Sequence, residues 1–343
     1  ALLEKEGVQF TVIGRPAEGR EITLTTREKV WTLEIDQLRD SWFRTSYLLD
    51  RKQSGEKLAK ERFESYKKHA LKFDLGNFRG TCESLGIDPG RRKASGTRAA
   101  IIREKGVNGD REMAYLMYLA GFDVKDVHMT DLIAGRETLE DVNFIVFVGG
   151  FSNSDVLGSA KGWAGAFRYN EKARIALEKF YARPDTLSLG ICNGCQLMVE
   201  LQLVTGETEH APNMLHNESG KFESGFLSVI VPENDSVMFR TLSNMQLGAW
   251  VAHGEGKFSL PSDKGYAVVG KYAHSSYPAN PNGSDGDVAA ICSTDGRHLA
   301  MMPHLERAFF PWQCGYYPAD RKNDEVTPWV EAFVNARKWV EKQ

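Results

Sequence analysis

The sequence predicts an α/β fold built on a parallel, doubly wound sheet. Three observations carry this. Short apolar runs alternate with helix-spaced segments from residue 97 to residue 201. One run, Phe144-Ile145-Val146-Phe147-Val148, is apolar throughout, as a strand buried on both faces should be. Hydrophobic residues make up 42% of the 343, enough for one large or two medium cores. In such sheets ligands sit at the carboxyl ends of the strands, so the loops after those runs are where chemistry is expected.

The elements follow in order. Val8 to Ile13 alternates as a strand ended by Gly14, Glu21 to Leu24 as a second, and Val30 to Leu33 as a third or as a lead into a helix. Ile35, Leu38, Trp42 and Leu49 have helical spacing. Residues 51–73 are dense in Lys, Glu and Arg and read as a solvated helix or linker. Residues 74–96 hold five glycines and read as irregular linker. Arg98 to Arg103 is then a strand, Glu112 to Ala120 a helix closed by Gly121, Phe122 to Val127 a strand, and Phe144 to Val148 a strand ending in Gly149-Gly150. Ala173 to Tyr181 is a helix, Leu187 to Ile191 a strand, and Gly194 to Leu201 a helix. Beyond about 220 the pattern is richer in β and loop, up to a last helix over 328–342. The apolar strands of the first 35 residues need a packing partner that this chain does not supply.

Charge and cysteine content exclude several classes. Lys plus Arg is 43 and Asp plus Glu is 46, a net charge of −3, without the basic excess of a general nucleic-acid binder. No run approaches the roughly 18 apolar residues of a membrane helix, and no signal-peptide pattern opens the chain. We therefore expect no nucleic-acid and no membrane partner. Five cysteines, Cys82, Cys192, Cys195, Cys292 and Cys314, are too sparse for a secreted disulfide scaffold. A reducing, cytoplasmic compartment with free thiols is expected. The chain opens Ala-Leu-Leu-Glu, without Met, and reads as a piece of a longer one.

The sharpest feature is Gly190-Ile191-Cys192-Asn193-Gly194-Cys195-Gln196. A strand delivers Cys192 to a helix start, with glycines at −2 and +2 where side chains would strike neighbouring backbone. A helix N-terminus favours a thiolate, and the N–H of Asn193 would face a developing oxyanion. Cys192 with Cys195 is equally a C-x-x-C redox pair or half a zinc site, and a buried structural thiol is the commonest fate of any cysteine. A nucleophilic thiol needs an imidazole and a group to orient it. His304 and Glu306, in Met302-Pro303-His304-Leu305-Glu306, point the same way if the segment is extended.

With those residues in view, 97–343 resembles the class I, triad-type glutamine amidotransferase domain, a flavodoxin-like doubly wound fold. Val148-Gly149-Gly150-Phe151-Ser152, Asp155-Val156-Leu157-Gly158, Gly162-Trp163-Ala164 and Val251-Ala252-His253-Gly254-Glu255-Gly256 match its signatures. Tyr277 to Ser284 is similar to a segment that marks the large single-chain phosphoribosylformylglycinamidine synthases, and Leu38 to Tyr47 resembles the last helix of their synthetase half. Leu305, Asn153 and Lys221 depart from that pattern, which has Pro, often Tyr and often Arg there.

The resemblance implies a division into a small α+β synthetase remnant (1–55), a linker (56–96) and the glutaminase domain (97–343). It implies Cys192 as nucleophile, His304 as acid and base, and Glu306 as its orienting group. The N–H groups of Gly150 and Asn193 would form the oxyanion hole. Gln196, Asn217, Ser219 and Phe222 would bind glutamine. No metal and no cofactor is implied on this chain, and no G-x-x-x-x-G-K-[ST] loop occurs in it. ATP and Mg2+ would belong to the absent synthetase part, the expected partner, which would use the ammonia to convert formylglycinamide ribonucleotide to its amidine in purine synthesis. The glutaminase would be weak without that part. An amidotransferase for another acceptor, a C-x-x-C redox protein and a non-catalytic interaction module are the alternatives.

Overall fold

The structure, a computed structural model, describes residues 2–206, 210–261 and 265–343. The chain opens with one turn, α1 (Leu2–Lys5), and an antiparallel hairpin of β1 (Glu21–Thr25) and β2 (Val30–Glu34). Two helices follow, α2 (Ile35–Gln53) and α3 (Gly55–Glu64), then a turn, α4 (Cys82–Leu85). The expected strand over Val8–Ile13 does not form. Its apolar residues are exposed, Ile13 almost wholly, and an isolated strand has no neighbour to take its backbone hydrogen bonds.

The remainder is a doubly wound unit. In chain order it runs β3 (Arg98–Arg103), α5 (Asp110–Leu119), β4 (Asp123–His128), α6 (Met129–Ala134), β5 (Phe144–Phe147), α7 (Lys161–Tyr169), α8 (Glu171–Ala182), β6 (Leu187–Ile191) and α9 (Asn193–Glu200). Then come β7 (Asn213–Leu215), β8 (Glu223–Ile230), β9 (Gln246–His253), β10 (Lys257–Ser259), β11 (Tyr266–Tyr272), β12 (Val288–Ser293), β13 (His298–Met301) and α10 (Trp329–Val340). Nine strands form one sheet in the order β4-β3-β5-β6-β13-β12-β11-β8-β9. From β4 to β13 the pairing is parallel, and from β12 onward antiparallel. The parallel strands β3, β5 and β6 are buried along almost their whole length, which their uninterrupted apolar runs anticipate.

Two helices of this unit escape the sequence reading. In α7, Gly162 and Gly165 dilute the apolar spacing, and the helix starts from Ala160 in the left-handed region at φ 60°. The single-turn-plus α6 is too short to show a period, yet His128 caps it. The supposed linker is also more than solvated chain. Leu75, Phe78, Cys82, Leu85 and Ile87 join the same core as the sheet, and Asp74 pairs with Gln246 at the edge of β9. Phe73 there packs against Tyr316 and Tyr317, with ring centroids 5.8 and 5.6 Å away, so those aromatics cover this strap.

Candidate active site

Three neighbouring parallel strands, β5, β6 and β13, deliver their carboxyl ends to one place. β5 continues into Gly149-Gly150, β6 into Cys192, and β13 into Met302-Pro303-His304. Cys192 is the hinge between β6 and α9, at φ 51° and ψ −105°, a conformation L-residues rarely take. Its N–H donates to Met301 O at 2.9 Å, which ties the turn to β13. The flanking glycines have no alternative. A Cβ on Gly190 would lie 2.4 Å from Gly194 O, and one on Gly194 would lie 2.0 Å from Phe147 O.

His304 is almost wholly buried, and its backbone N–H donates to Trp250 O at 2.7 Å. Its Nδ1 lies 2.6 Å from Glu306 Oε1, which leaves the other ring nitrogen to the Cys192 sulfur. A Cβ on Gly149 would lie 2.7 Å from His304 Cε1 and 3.3 Å from Cys192 Cβ, so glycine there is what lets the two side chains meet. Burial alone would lower the imidazole pKa. The Glu306 carboxylate and the Cys192 sulfur outweigh it and push it up to about 10. Glu306 is buried, and its second oxygen has no partner among the described residues.

Gly150 pairs with Val107 as the non-hydrogen-bonded member of a bridge. The bonds run from Asn108 N–H to Gly149 O and from Phe151 N–H to Gly106 O. Among the described residues the N–H of Gly150 therefore has no partner, nor does that of Asn193 at the first turn of α9. The Asn193 side chain accepts from Ser152 N–H at 3.2 Å and donates to Gln196 Oε1 at 3.0 Å. It thereby pins the Gly150 loop to α9 and turns the Gln196 amide, whose Nε2 donates to Glu255 O at 2.8 Å.

These groups border a cleft of about 570 Å³ lined by Cys192, Gln196, Gly150, Phe222, Asp155 and Glu255, among others. Phe151 and Phe222 face each other there, centroids 5.9 Å apart. Asp155 reaches the cleft because Asn153, Ser154 and Asp155 are all left-handed, at φ 52°, 58° and 50°. One oxygen of Asp155 is buried without a partner among the described residues. Burial and the neighbouring Glu255 raise its pKa, against the Ser159 hydroxyl. Asp155 and Glu255 escape the sequence reading of the pocket, although both stand in segments it singled out.

Not every expected pocket residue faces the cleft. Asn217 is buried, and its amide is fully spent on protein: Nδ2 donates to Lys221 O and His253 O, and Oδ1 accepts from Gly256 N–H at 3.0 Å. It shapes the wall instead. Ser219 is buried too, and its hydroxyl does not line the cleft. Both sit in a tight turn, closed by Gly220 N–H to Asn217 O at 2.9 Å, where sequence spacing cannot tell an inward side chain from an outward one. Cys195 is fully buried on α9, and burial pushes its thiol pKa well up, so a Cys192–Cys195 redox pair is not favoured. All five thiols are unpaired. Among the described residues no group of His, Cys, Asp and Glu is placed to hold a metal ion, and no helix is long and apolar enough to cross a membrane.

A strand–helix elbow carrying a thiol, beside a buried imidazole–carboxylate pair on a doubly wound sheet, is a geometry that suits a glutamine amidotransferase domain. The sequence comparisons agree. Residues 96–340 match the CobB/CobQ-like glutamine amidotransferase domain, and the chain belongs to that family. The chain is similar to the protein named "Probable phosphoribosylformylglycinamidine synthase, chloroplastic/mitochondrial" of Arabidopsis thaliana, 43% identical over 89% of this chain and 23% of that one. It is similar to the human phosphoribosylformylglycinamidine synthase, 40% identical over 89% of this chain and 25% of the human one. The chain thus spans about a quarter of the length of these curated relatives. Among solved structures, PurLQS from Thermotoga maritima aligns with a TM-score of 0.55 at 26% identity, over 72% of this chain and 98% of that one.

Proposed function

We propose that this chain is the glutaminase part of a phosphoribosylformylglycinamidine synthase, and that the cleft around Cys192 hydrolyses glutamine. The observation that carries it is the series Cys192, His304, Glu306 at the carboxyl ends of adjacent strands, with two unspent N–H groups beside it. The Cys192 thiolate attacks the side-chain amide carbon, and the carbonyl electrons pass to an oxyanion held by the Gly150 and Asn193 N–H groups. The intermediate collapses as His304 gives its proton to the departing ammonia, leaving a γ-glutamyl thioester. Water, giving a proton to His304, then attacks the thioester carbon, the C–S bond breaks, and glutamate leaves with the Cys192 thiolate and the charged imidazole restored. Glu306 keeps the imidazole oriented throughout and stabilises its charged form whenever it holds the proton. Asp155 and Glu255, two carboxylates close together in the cleft, accept the substrate's α-ammonium, and Gln196 and Phe222 face its chain.

The ammonia would be used by the rest of the longer protein, with ATP and Mg2+ bound there, to turn formylglycinamide ribonucleotide into its amidine. On this reading residues 1–55 end the synthetase domain, 56–96 connect it, and 97–343 are the glutaminase. Unpaired thiols support a reducing compartment such as the cytoplasm.

The test is intact-protein mass after incubation with 6-diazo-5-oxo-norleucine, a glutamine mimic that alkylates such thiols. One adduct is expected, mapping to Cys192 and missing from Cys192→Ala. No adduct on a folded chain whose Cys192 still reacts with iodoacetamide would overturn the glutamine reading.

A further inference from the structure

The outer wall of the cleft is the segment Gly220-Lys221-Phe222, just before β8. Its own backbone is lightly held, by Gly220 N–H to Asn217 O at 2.9 Å and Lys221 O from the Asn217 amide at 2.9 Å. Gly220 sits at φ 66° with open space around it. The side chains that fix the segment reach away from the cleft, to α2 and α3. The Lys221 ammonium pairs with Asp50, a buried residue near the end of α2 that also accepts from Ser54 Oγ at 2.9 Å. Arg62 of α3 pairs with Glu223 at 2.5 Å and stands 3.7 Å from Asp50. Glu223 in turn accepts from Tyr277 OH at 2.7 Å, and the Arg62 guanidinium lies over the Tyr277 ring at 4.7 Å. The Asp50 and Glu223 side chains are 8% and 6% exposed, so water and salt screen these pairs little.

We infer that α2 and α3 position the glutamine pocket: Asp50 and Arg62 clamp the wall segment from behind, through Lys221 and Glu223, and hold Phe222 across the cleft from Phe151. This deepens the glutaminase reading of the cleft and rests on it. Both helices lie outside the residues that match the amidotransferase family. The composition of residues 51–73, which include α3, reads by itself as solvated helix or linker. What changes their meaning is that one carboxylate and one guanidinium are turned inward, against two opposite charges that flank a pocket residue. A charge left buried without its partner is costly, so losing either clamp residue drives the wall to rearrange. Neither Asp50 nor Arg62 lines the cleft, so any effect on substrate capture has to pass through the wall. The surface of α2 away from the clamp is apolar and exposed at Trp42, Leu38 and Leu49. A neighbour seated there would therefore be mechanically connected to glutamine capture.

The experiment compares wild type, Asp50→Asn, Asp50→Glu and Arg62→Gln in the full 343-residue chain. Inactivation by 6-diazo-5-oxo-norleucine is measured against reagent concentration, which separates KI from kinact. The rate of Cys192 alkylation by iodoacetamide and the melting temperature are measured alongside. If the clamp holds the wall, the bound-competent arrangement falls to about a tenth in Asp50→Asn and Arg62→Gln, and KI rises about tenfold. The maximal rate kinact and the iodoacetamide rate stay within about twofold, and Asp50→Glu recovers a KI near wild type. Unchanged KI in both neutral variants would overturn the inference. So would equal slowing of both reagents in step with a fall in melting temperature, which marks general loss of structure. A wild-type chain that takes no diazo adduct would instead overturn the glutaminase reading, a result distinct from equal KI values.

Discussion

At the residue scale the site turns on one proton. His304 is deep in the protein, where an imidazolium is costly, yet the Glu306 carboxylate 2.6 Å away makes the charged form the stable one. A histidine whose pKa rises on folding adds stability that is fully present below its unfolded value of about 6.5. That contribution is lost as pH climbs through about 10, so the window is alkaline. In Glu306→Gln the imidazole should lose its proton at a lower pH than in the wild type, seen by NMR of the ring. Glutamine turnover or diazo labelling in that variant should fall about 100-fold or more, in line with the loss of an oriented acid–base group. A second residue-scale expectation concerns Asp155 and Glu255. Hydrogen bonds to a charged group contribute about 1.5–3 kcal/mol, so Glu255→Gln should weaken glutamine capture roughly tenfold or more. An analogue without the α-amino group should lose nothing in the same variant. Equal losses for both compounds would remove Glu255 from the ammonium subsite.

At the element scale the elbow between β6 and α9 carries the argument. Gly194 lets the first turn of α9 pass against the end of β5, and a Cβ there would overlap Phe147 O at 2.0 Å. The collision is with backbone, so no side chain can move aside. Gly194→Ala should therefore destabilise by about 3 kcal/mol or more, beyond the usual range for an overpacked core, and abolish labelling of Cys192 by the glutamine mimic. The control is Gly225→Ala, where a Cβ meets nothing within 4 Å. That variant should label normally and melt within a few degrees of wild type. This elbow was legible from Gly190-x-Cys192-x-Gly194, because each glycine answers a local steric demand that spacing exposes. His304 and Glu306 were expected on one side of an extended segment; the structure instead turns Leu305–Arg307 into a short 3-10 helix, and the carboxylate reaches the imidazole from within that turn. Asn217 and Ser219 were not resolved this way. Their stretch has no period, and only the packed wall shows that the Asn217 amide is consumed by Lys221, His253 and Gly256.

At the scale of the whole molecule two regions differ in kind. The strap from Leu75 and the helices of the doubly wound unit pack into the sheet's core, and α2 and α3 are tied to it through Asp50 and Arg62, whereas residues 2–32 are exposed throughout. The hairpin β1–β2 shows Ile22, Leu24, Val30 and Trp31 to solvent, a patch that normally means an interaction surface. Deleting residues 1–34 should thus change the stability of the remainder by less than about 1 kcal/mol, read from a denaturant midpoint, because almost no buried contact is lost. It should also lower binding of a hydrophobic dye. A drop of several kcal/mol would show that the hairpin packs on the chain in solution. The net charge of −3 says little about the cleft, which owes its character to local charges.

The sequence by itself determined the doubly wound class, the strand–elbow–helix around Cys192 and the pairing of His304 with Glu306. Each follows from short-range rules of period, glycine sterics and side-chain direction, which act within a few residues. Tertiary structure alone decided which charges meet across long separations: Asp50 with Lys221, Arg62 with Glu223, and Asp155 with Glu255. It also made a packed strap of the glycine-rich 74–96, because Leu75, Phe78 and Ile87 find the sheet's core. Partners 161 to 171 residues apart leave no periodic mark in composition, since only the folded path of the chain brings them within reach of each other.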